Sequence, residues 1–213
     1  MAAHAKLFDL RNLLAERFPS GPLAATARLR TGQSLIDSVL GDGLPKGAIT
    51  EISSPQPSAG SASLIAGLVR AAQEARSFIA LVDGRDSFDP EPLGQVCLRH
   101  LLWVRCHQAM EAVKAADLLL RDGNFPIVLL DLVLNLPNEL QKIPQTSWYR
   151  LQRLVEPTSS VFLVLSRHSL VASARLKVVL QNRWSLSTFE REDALSLARF
   201  EVQPSHLAQA KAG

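Results

Sequence analysis

The chain holds two cysteines, Cys97 and Cys106, among 213 residues, too few for a disulfide framework to stand in for a core. Aromatic residues make up 6%, with a single tyrosine, so a stacking platform for nucleic-acid bases has little to be built from. No apolar run approaches the ~18 residues of a membrane span, and Met1 to Phe18 interrupts its apolar positions with charges, unlike a signal peptide. A soluble, cytoplasmic protein without membrane contact is expected. No internal repeat or low-complexity segment is found. What is present is a globular balance, 47% hydrophobic and 20% charged, long enough for one full domain with short appendages.

Acidic residues are scarce in one stretch. Between Lys142 and Phe189 stand seven cations, Lys142, Arg150, Arg153, Arg167, Arg175, Lys177 and Arg183, against the single acid Glu156. A basic face of this kind suits phosphate backbones or an acidic partner, and equally a plain solvated surface. Cys97, His100, Cys106 and His107 have the residue types of a zinc site but not its spacing, because the first pair falls in a helical stretch and Cys106 ends an apolar run. No metal site is expected.

Periodicity organises the rest. Leu7, Leu10, Leu14 and Phe18 form one stripe of an N-terminal helix that stops before Pro19, and a linker runs to Thr31. An element at 33–40 ends in Gly41-Asp42-Gly43. Strands are then expected at 48–52, 78–82, 101–106, 126–130 and 161–166, with helices at 61–76, 92–100, 109–122 and 145–156. The last strand candidates lie around 182–186 and 198–202. The alternation predicts an α/β fold: a mostly parallel sheet flanked by helices on both faces, with an N-terminal helix. The expected divisions are 1–30 for helix and linker, 31–187 for the core, and 188–213 for a C-terminal strand and tail.

The sharpest absence follows the strand at 48–52. A phosphate-binding loop there would need G-x-x-x-x-G-K-[ST], whose backbone N–H groups cradle phosphates while lysine neutralises them and a hydroxyl faces magnesium. The chain supplies Pro55-Gln-Pro-Ser-Ala-Gly60-Ser61-Ala62, and the nearest lysine, Lys46, lies upstream.

The run from Thr31 to Pro55, TG-x-x-x-x-D-x-x-L-G-x-GLP-x-G-x-I-x-EI-x-x-P, resembles the opening of the RecA recombinase core. The likeness continues through VDGRDSFDP at 82–90, the stretch 101–131 ending in Asp131, and SARLKVVLQNRWS at 173–185, covering about residues 29 to 186. A RecA-like core is therefore expected, and the departures from it are informative. The resemblance places Ser61 where the family has its lysine and Ala62 where it has the hydroxyl, or Gly60 and Ser61 under the other gap placement. It puts Arg85 in place of the water-activating glutamate and Arg167 in place of the γ-phosphate-sensing glutamine. Of the metal-binding apparatus it leaves only Asp131, which an acidic end to a buried strand would explain as well. The expected outcome is a degenerate nucleotide pocket at Pro55, Gly60, Ser61, Ala62, Arg85 and Asp131, with no catalytic residue, cofactor or ATPase activity.

A RecA-like core of this length, short in both DNA-binding loop regions, is similar to the ImuA-type proteins of bacterial SOS mutagenesis, with SulA-type cell-division inhibitors as the other such relatives. The first likeness implies a non-catalytic adaptor in translesion synthesis, beside a Y-family polymerase homologue (ImuB), RecA and an error-prone C-family polymerase. It also makes the stripe Leu7, Leu10, Leu14 and Phe18 a candidate protein contact, since RecA-type proteins pack an N-terminal element on a neighbour. The alternative is a helix folded on its own core. Arg167, His168, Arg175, Lys177 and Arg183 fall near the family's second DNA-binding loop and are candidates for weak single-stranded DNA or partner contact. Self-association is left open.

Overall fold

The computed structural model describes residues 27–31, 37–38, 40–56, 59–183 and 199–203. The N-terminal stripe, most of the element at 33–40 and the tail beyond 203 lie outside them.

Two-residue strands β1 (Arg28–Leu29) and β2 (Leu44–Pro45) pair antiparallel ahead of the main sheet. The sheet itself contains β3 (Ala48–Ser53), β4 (Ile79–Asp83), β5 (Leu101–Arg105), β6 (Ile127–Asp131), β7 (Val161–Ser166), β8 (Leu176–Leu180) and β9 (Phe200–Gln203). Their order is β5-β4-β6-β7-β3-β8-β9, parallel except for the final β8–β9 pair. Every residue of β3, β4 and β7 is buried, as expected of parallel strands covered on both sides.

Helices α1 (Ser61–Glu74) and α2 (Gly94–Leu98) pack on one face, against Ile52, Ile79, Leu81, Leu129 and Leu163. On the other face, α3 (Ala109–Asp122) and α5 (Gln145–Val155) cover Ile49, Val82, Val128, Leu130 and Phe162; the short α4 (Pro137–Leu140) lies between them in sequence. Alternate residues of each strand thus feed separate cores. Right-handed crossovers require this division: the chain moves outward from β3 through β4 to β5, then turns back through β6 and β7. The turn-back sets a crevice at the carboxyl ends of β3, β4, β6 and β7, where open α/β sheets take their ligands.

The expected α/β architecture is present, with local differences. The helix expected at 92–100 is a 3-10 turn, Glu91–Leu93, followed by the five-residue α2, because Gly94 takes φ 69 and breaks the register between them. Of the strand expected at 182–186 only residues 182 and 183 are described, and they follow β8, which ends at Leu180, with Asn182 turning its amide inward to the Ala59 carbonyl. Phe78 stays outside β4, 53% exposed, with its ring 5.5 Å from that of His100. β9 draws part of the segment beyond 188 into the sheet. Among the described residues no helix is long and apolar enough to cross a membrane.

Candidate functional site

The crevice begins where β3 ends. Ser54 donates its N–H to the Ser166 carbonyl at 2.7 Å and keeps a buried hydroxyl with no hydrogen-bond partner among the described residues. Pro55 and Gln56 are exposed, and the loop returns to the core at Ala59, which is 3% exposed. Gly60 then caps α1 with φ 96, a left-handed conformation that glycine adopts without a Cβ penalty. Leu64 donates its N–H back to the Gly60 carbonyl at 2.9 Å, so the helix grows directly from this glycine. Its first three residues are Ser61, Ala62 and Ser63, with no charged side chain among them. Asn182, 5% exposed, clamps the loop: its amide donates to the Ala59 carbonyl at 2.9 Å and its oxygen accepts the Arg199 N–H at 2.6 Å. The loop is therefore tied to the β8–β9 end of the sheet.

The strands β4 and β6 end in carboxylates. Asp83 is 1% exposed and accepts the N–H groups of Ser87 and Phe88, both at 2.8 Å, that of Arg85 at 3.2 Å, and the Trp103 indole at 3.3 Å. Those bonds fold the turn after β4. Asp86, in that turn, holds Arg105 through two oxygens at 2.5 and 2.7 Å, and this hydrogen-bonded guanidinium keeps its carboxyl below the usual carboxylate range. Asp131 is half-buried and accepts the Val133 N–H at 3.0 Å. Burial pushes its pKa up to about 6; the Val133 bond opposes the rise and the nearby Asp83 charge adds to it.

Gly84 seals the two ends together. Its N–H bonds the Asp131 carbonyl at 2.9 Å, and an added Cβ would meet Asn135 Oδ1 at 2.3 Å and that carbonyl at 2.7 Å. Asn135 is 3% exposed and donates to the Gly84 carbonyl at 2.8 Å and to Glu139 at 3.1 Å.

Cations occupy the crevice rim. Arg85 donates to the His107 carbonyl at 3.0 Å and reaches Glu139 at 3.4 Å. Arg167, just past β7, donates from Nε to the Val133 carbonyl at 3.2 Å, across the end of β6. His168 and Arg183 are exposed at the same carboxyl end. Lys177 is 14% exposed at its side chain, 3.3 Å from the buried Glu51 carboxylate and 2.7 Å from Ser169 Oγ. Arg175 donates its N–H to the Ile49 carbonyl near the start of β3. The structure thus gathers Pro55, Gly60, Ser61, Ala62, Arg85, Asp131 and Arg167 around one crevice, and of the second group of cations it turns Lys177 inward to Glu51.

Cys97, His100, Cys106 and His107 do not converge. His100 Nδ1 is 2.8 Å from the Ser77 carbonyl, and burial raises the pKa of the Cys106 thiol, with Glu111 and Asp83 adding to the rise. Among the described residues no group of three or more His, Cys, Asp or Glu is placed to hold a metal. Asn135, Glu139, Gly84 and Asn182 escaped sequence reasoning, since polar residues in turns carry no periodicity to mark them.

Residues 23–142 match the family model of the RecA N-terminal domain, more than half of the chain. The chain belongs to the RecA family. It is 35% identical to Protein RecA of Clavibacter michiganensis subsp. michiganensis over 121 residues, 55% of this chain and 33% of that protein. With Protein RecA of Frankia alni it shares 35% over 106 residues, 48% of this chain and 30% of the relative. For Protein RecA of Pseudomonas fluorescens the figures are 33% over 112 residues, 51% and 32%. This RecA-family chain spans about a third of the length of the curated relatives it matches. The matched stretch includes the loop at Gly60 and both strand-ending aspartates, and it stops short of α5.

Proposed function

We propose that this chain is a non-catalytic RecA-type adaptor of the ImuA kind, acting in SOS-induced, error-prone translesion DNA synthesis through a degenerate ATP site. One observation carries the reading: α1 grows from a loop-ending glycine in a RecA-family sheet, yet neither the loop nor the helix's first turn contains a cation. That geometry supports the placement of Ser61 at the lysine position and Ala62 at the hydroxyl position. A triphosphate held there would lack the charge such loops bring to it. The other parts agree. Arg85 cannot accept a proton from water. Asp131 alone remains of the metal-binding apparatus, its carboxylate taking the Val133 N–H. The residues present do not fit a magnesium-bound nucleotide, and the retained sheet is left to present surfaces.

The partners of this adaptor are an ImuB-type polymerase homologue, RecA or both, with the error-prone C-family polymerase in the same assembly. Purified chain mixed with each candidate, followed by size-exclusion chromatography, tests it. Co-elution with the ImuB-type protein or RecA is expected, together with lost damage-induced mutagenesis on deletion of the gene. No co-elution, or filamentous cells on overproduction as for a SulA-type inhibitor, contradicts it. A second reading, sequence-indifferent contact with single-stranded DNA, is favoured by the shared edge of Arg167, His168 and Arg183. It requires binding that weakens steeply with salt, and no signal at low salt rejects it.

A further inference from the structure

A groove of about 350 Å³ lies between α3 and α5, on the sheet face opposite α1. Met110, Val113 and Leu151 line it with apolar surface, and Leu118, 68% exposed, stands on its lip. Two helices side by side leave a trough that the side-chain ridge of a third fits, and an apolar anchor in such a trough is the usual form of helix-in-groove recognition.

The charges around the groove select its occupant. Asp117 is the one acid in the lining, and both of its oxygens are taken: Arg150 holds one at 2.7 Å and Arg121 the other at 2.8 Å. Its side chain is 14% exposed while those of Arg150 and Arg121 are 62% and 49% exposed, so the cluster turns guanidinium and not carboxylate to solvent. Lys114, also exposed, adds a further cation to the lining. No acid interrupts α5 from Gln145 to Val155, and Glu111 on α3 is engaged with the His107 N–H at 3.2 Å. An apolar strip with a cationic rim complements an apolar ridge flanked by carboxylates. A second copy meeting this groove about a two-fold axis sets Lys114, Arg121 and Arg150 against their own counterparts, and like charges disfavour that pairing. The sequence of the N-terminal stripe carries Lys6, Arg11 and Arg17 against Asp9 and Glu16, a net positive charge that does not match a positive rim.

We propose that the α3–α5 groove is a docking site for an acidic amphipathic helix of another protein. The helix lays its apolar ridge along Met110, Val113, Leu118 and Leu151 and sets its carboxylates against Lys114, Arg121 and Arg150. This inference does not rest on the adaptor reading, and the groove is separate from the crevice at the strand ends.

The test titrates the full chain into two fluorescein-labelled synthetic helical peptides that share a leucine stripe at i, i+3, i+4 and i+7 spacing and differ only in carrying glutamate or lysine beside it. Anisotropy is read near physiological ionic strength. The glutamate peptide should bind saturably, more weakly as salt is raised, and the lysine peptide should not bind. Leu118→Asp and Lys114→Glu change exposed positions, and thermal unfolding that matches the parent certifies their fold. Each should weaken the glutamate peptide by about tenfold or more. Sedimentation of the chain alone should give the same species for the parent and for Leu118→Asp. No saturable binding, as follows if another part of the chain fills the groove, would overturn the proposal. So would equal binding of the lysine peptide, affinity unmoved by both substitutions, or self-association that Leu118→Asp abolishes.

Discussion

Glu51 shows how much one side chain can organise. It is 1% exposed in the middle of β3, yet its carboxylate accepts the N–H groups of Leu170 and Val171 and the Ser169 hydroxyl, and it pairs with Lys177. The connection from β7 to β8 is pinned to the sheet through this acid. Glu51→Ala strands two backbone donors and a largely buried ammonium, so it should lower unfolding free energy by about 3 kcal/mol, read from urea midpoints. Lys177→Met should cost less, about 1 kcal/mol, because Glu51 keeps its other donors. A charge within the otherwise buried run Ala48–Ser53 was the visible sign of such a role, but its partners lie over a hundred residues away and left no trace in local pattern. The same distance explains why Lys177, grouped by sequence with exposed cations, is turned toward the interior. Asp131 adds a pH dependence. Its folded pKa, about 6, exceeds the ordinary carboxylate value of 3.8, so its contribution is fully present below pH 4 and is lost as pH rises through 6. Asp131→Asn should therefore match the parent near pH 4 and become more stable by about 1–2 kcal/mol above pH 7, the full shift being discounted for partial exposure. A constant difference across that range would contradict the burial argument.

At the level of elements, strands and helices with strong periodicity were legible. α3 runs from Ala109 to Asp122 as the pattern predicts, with Glu111 in its first turn, Arg121 in its last and Gly123 at φ 71 as its stop, each favouring the helix ends they occupy. β7 likewise occupies 161–166. Reading failed where polar residues serve tertiary contacts. Asn182 looked like part of a strand and is instead the clamp between the Ala59 carbonyl and Arg199. Removing it, as Asn182→Ala, leaves both groups without their partner and should cost about 1–3 kcal/mol. Amide exchange should quicken around Ala59 and along β8–β9 while α3 and α5 keep their protection. Uniform acceleration across the sheet would mean the clamp supports the whole fold and not the loop. The crevice is legible in the same partial way: the resemblance to the RecA core points to the loop, Arg85, Asp131 and Arg167. Gly84, Asn135 and Glu139, which lock β4 to β6, emerge only when the two strand ends are brought together.

For the molecule as a whole, the proposed function separates a scaffold from the chemistry its family uses it for. The seven strands, the two-faced helical cover and the crevice at the turn-back of the strand order follow from buried apolar runs joined by right-handed crossovers. Nucleotide hydrolysis needs more: a cation at the loop, a metal-facing hydroxyl and a base for water, each worth orders of magnitude in rate. In the proposed degenerate site the corresponding places hold Ser61, Ala62 and Arg85, the last drawn to Glu139 and the His107 carbonyl. Isothermal titration of the purified chain with ATP and magnesium, paired with a phosphate-release assay, tests this directly. The account predicts no saturable heat at millimolar nucleotide and phosphate release equal to the buffer blank. Magnesium-dependent binding, or turnover that disappears in a Ser61→Ala variant, would contradict it.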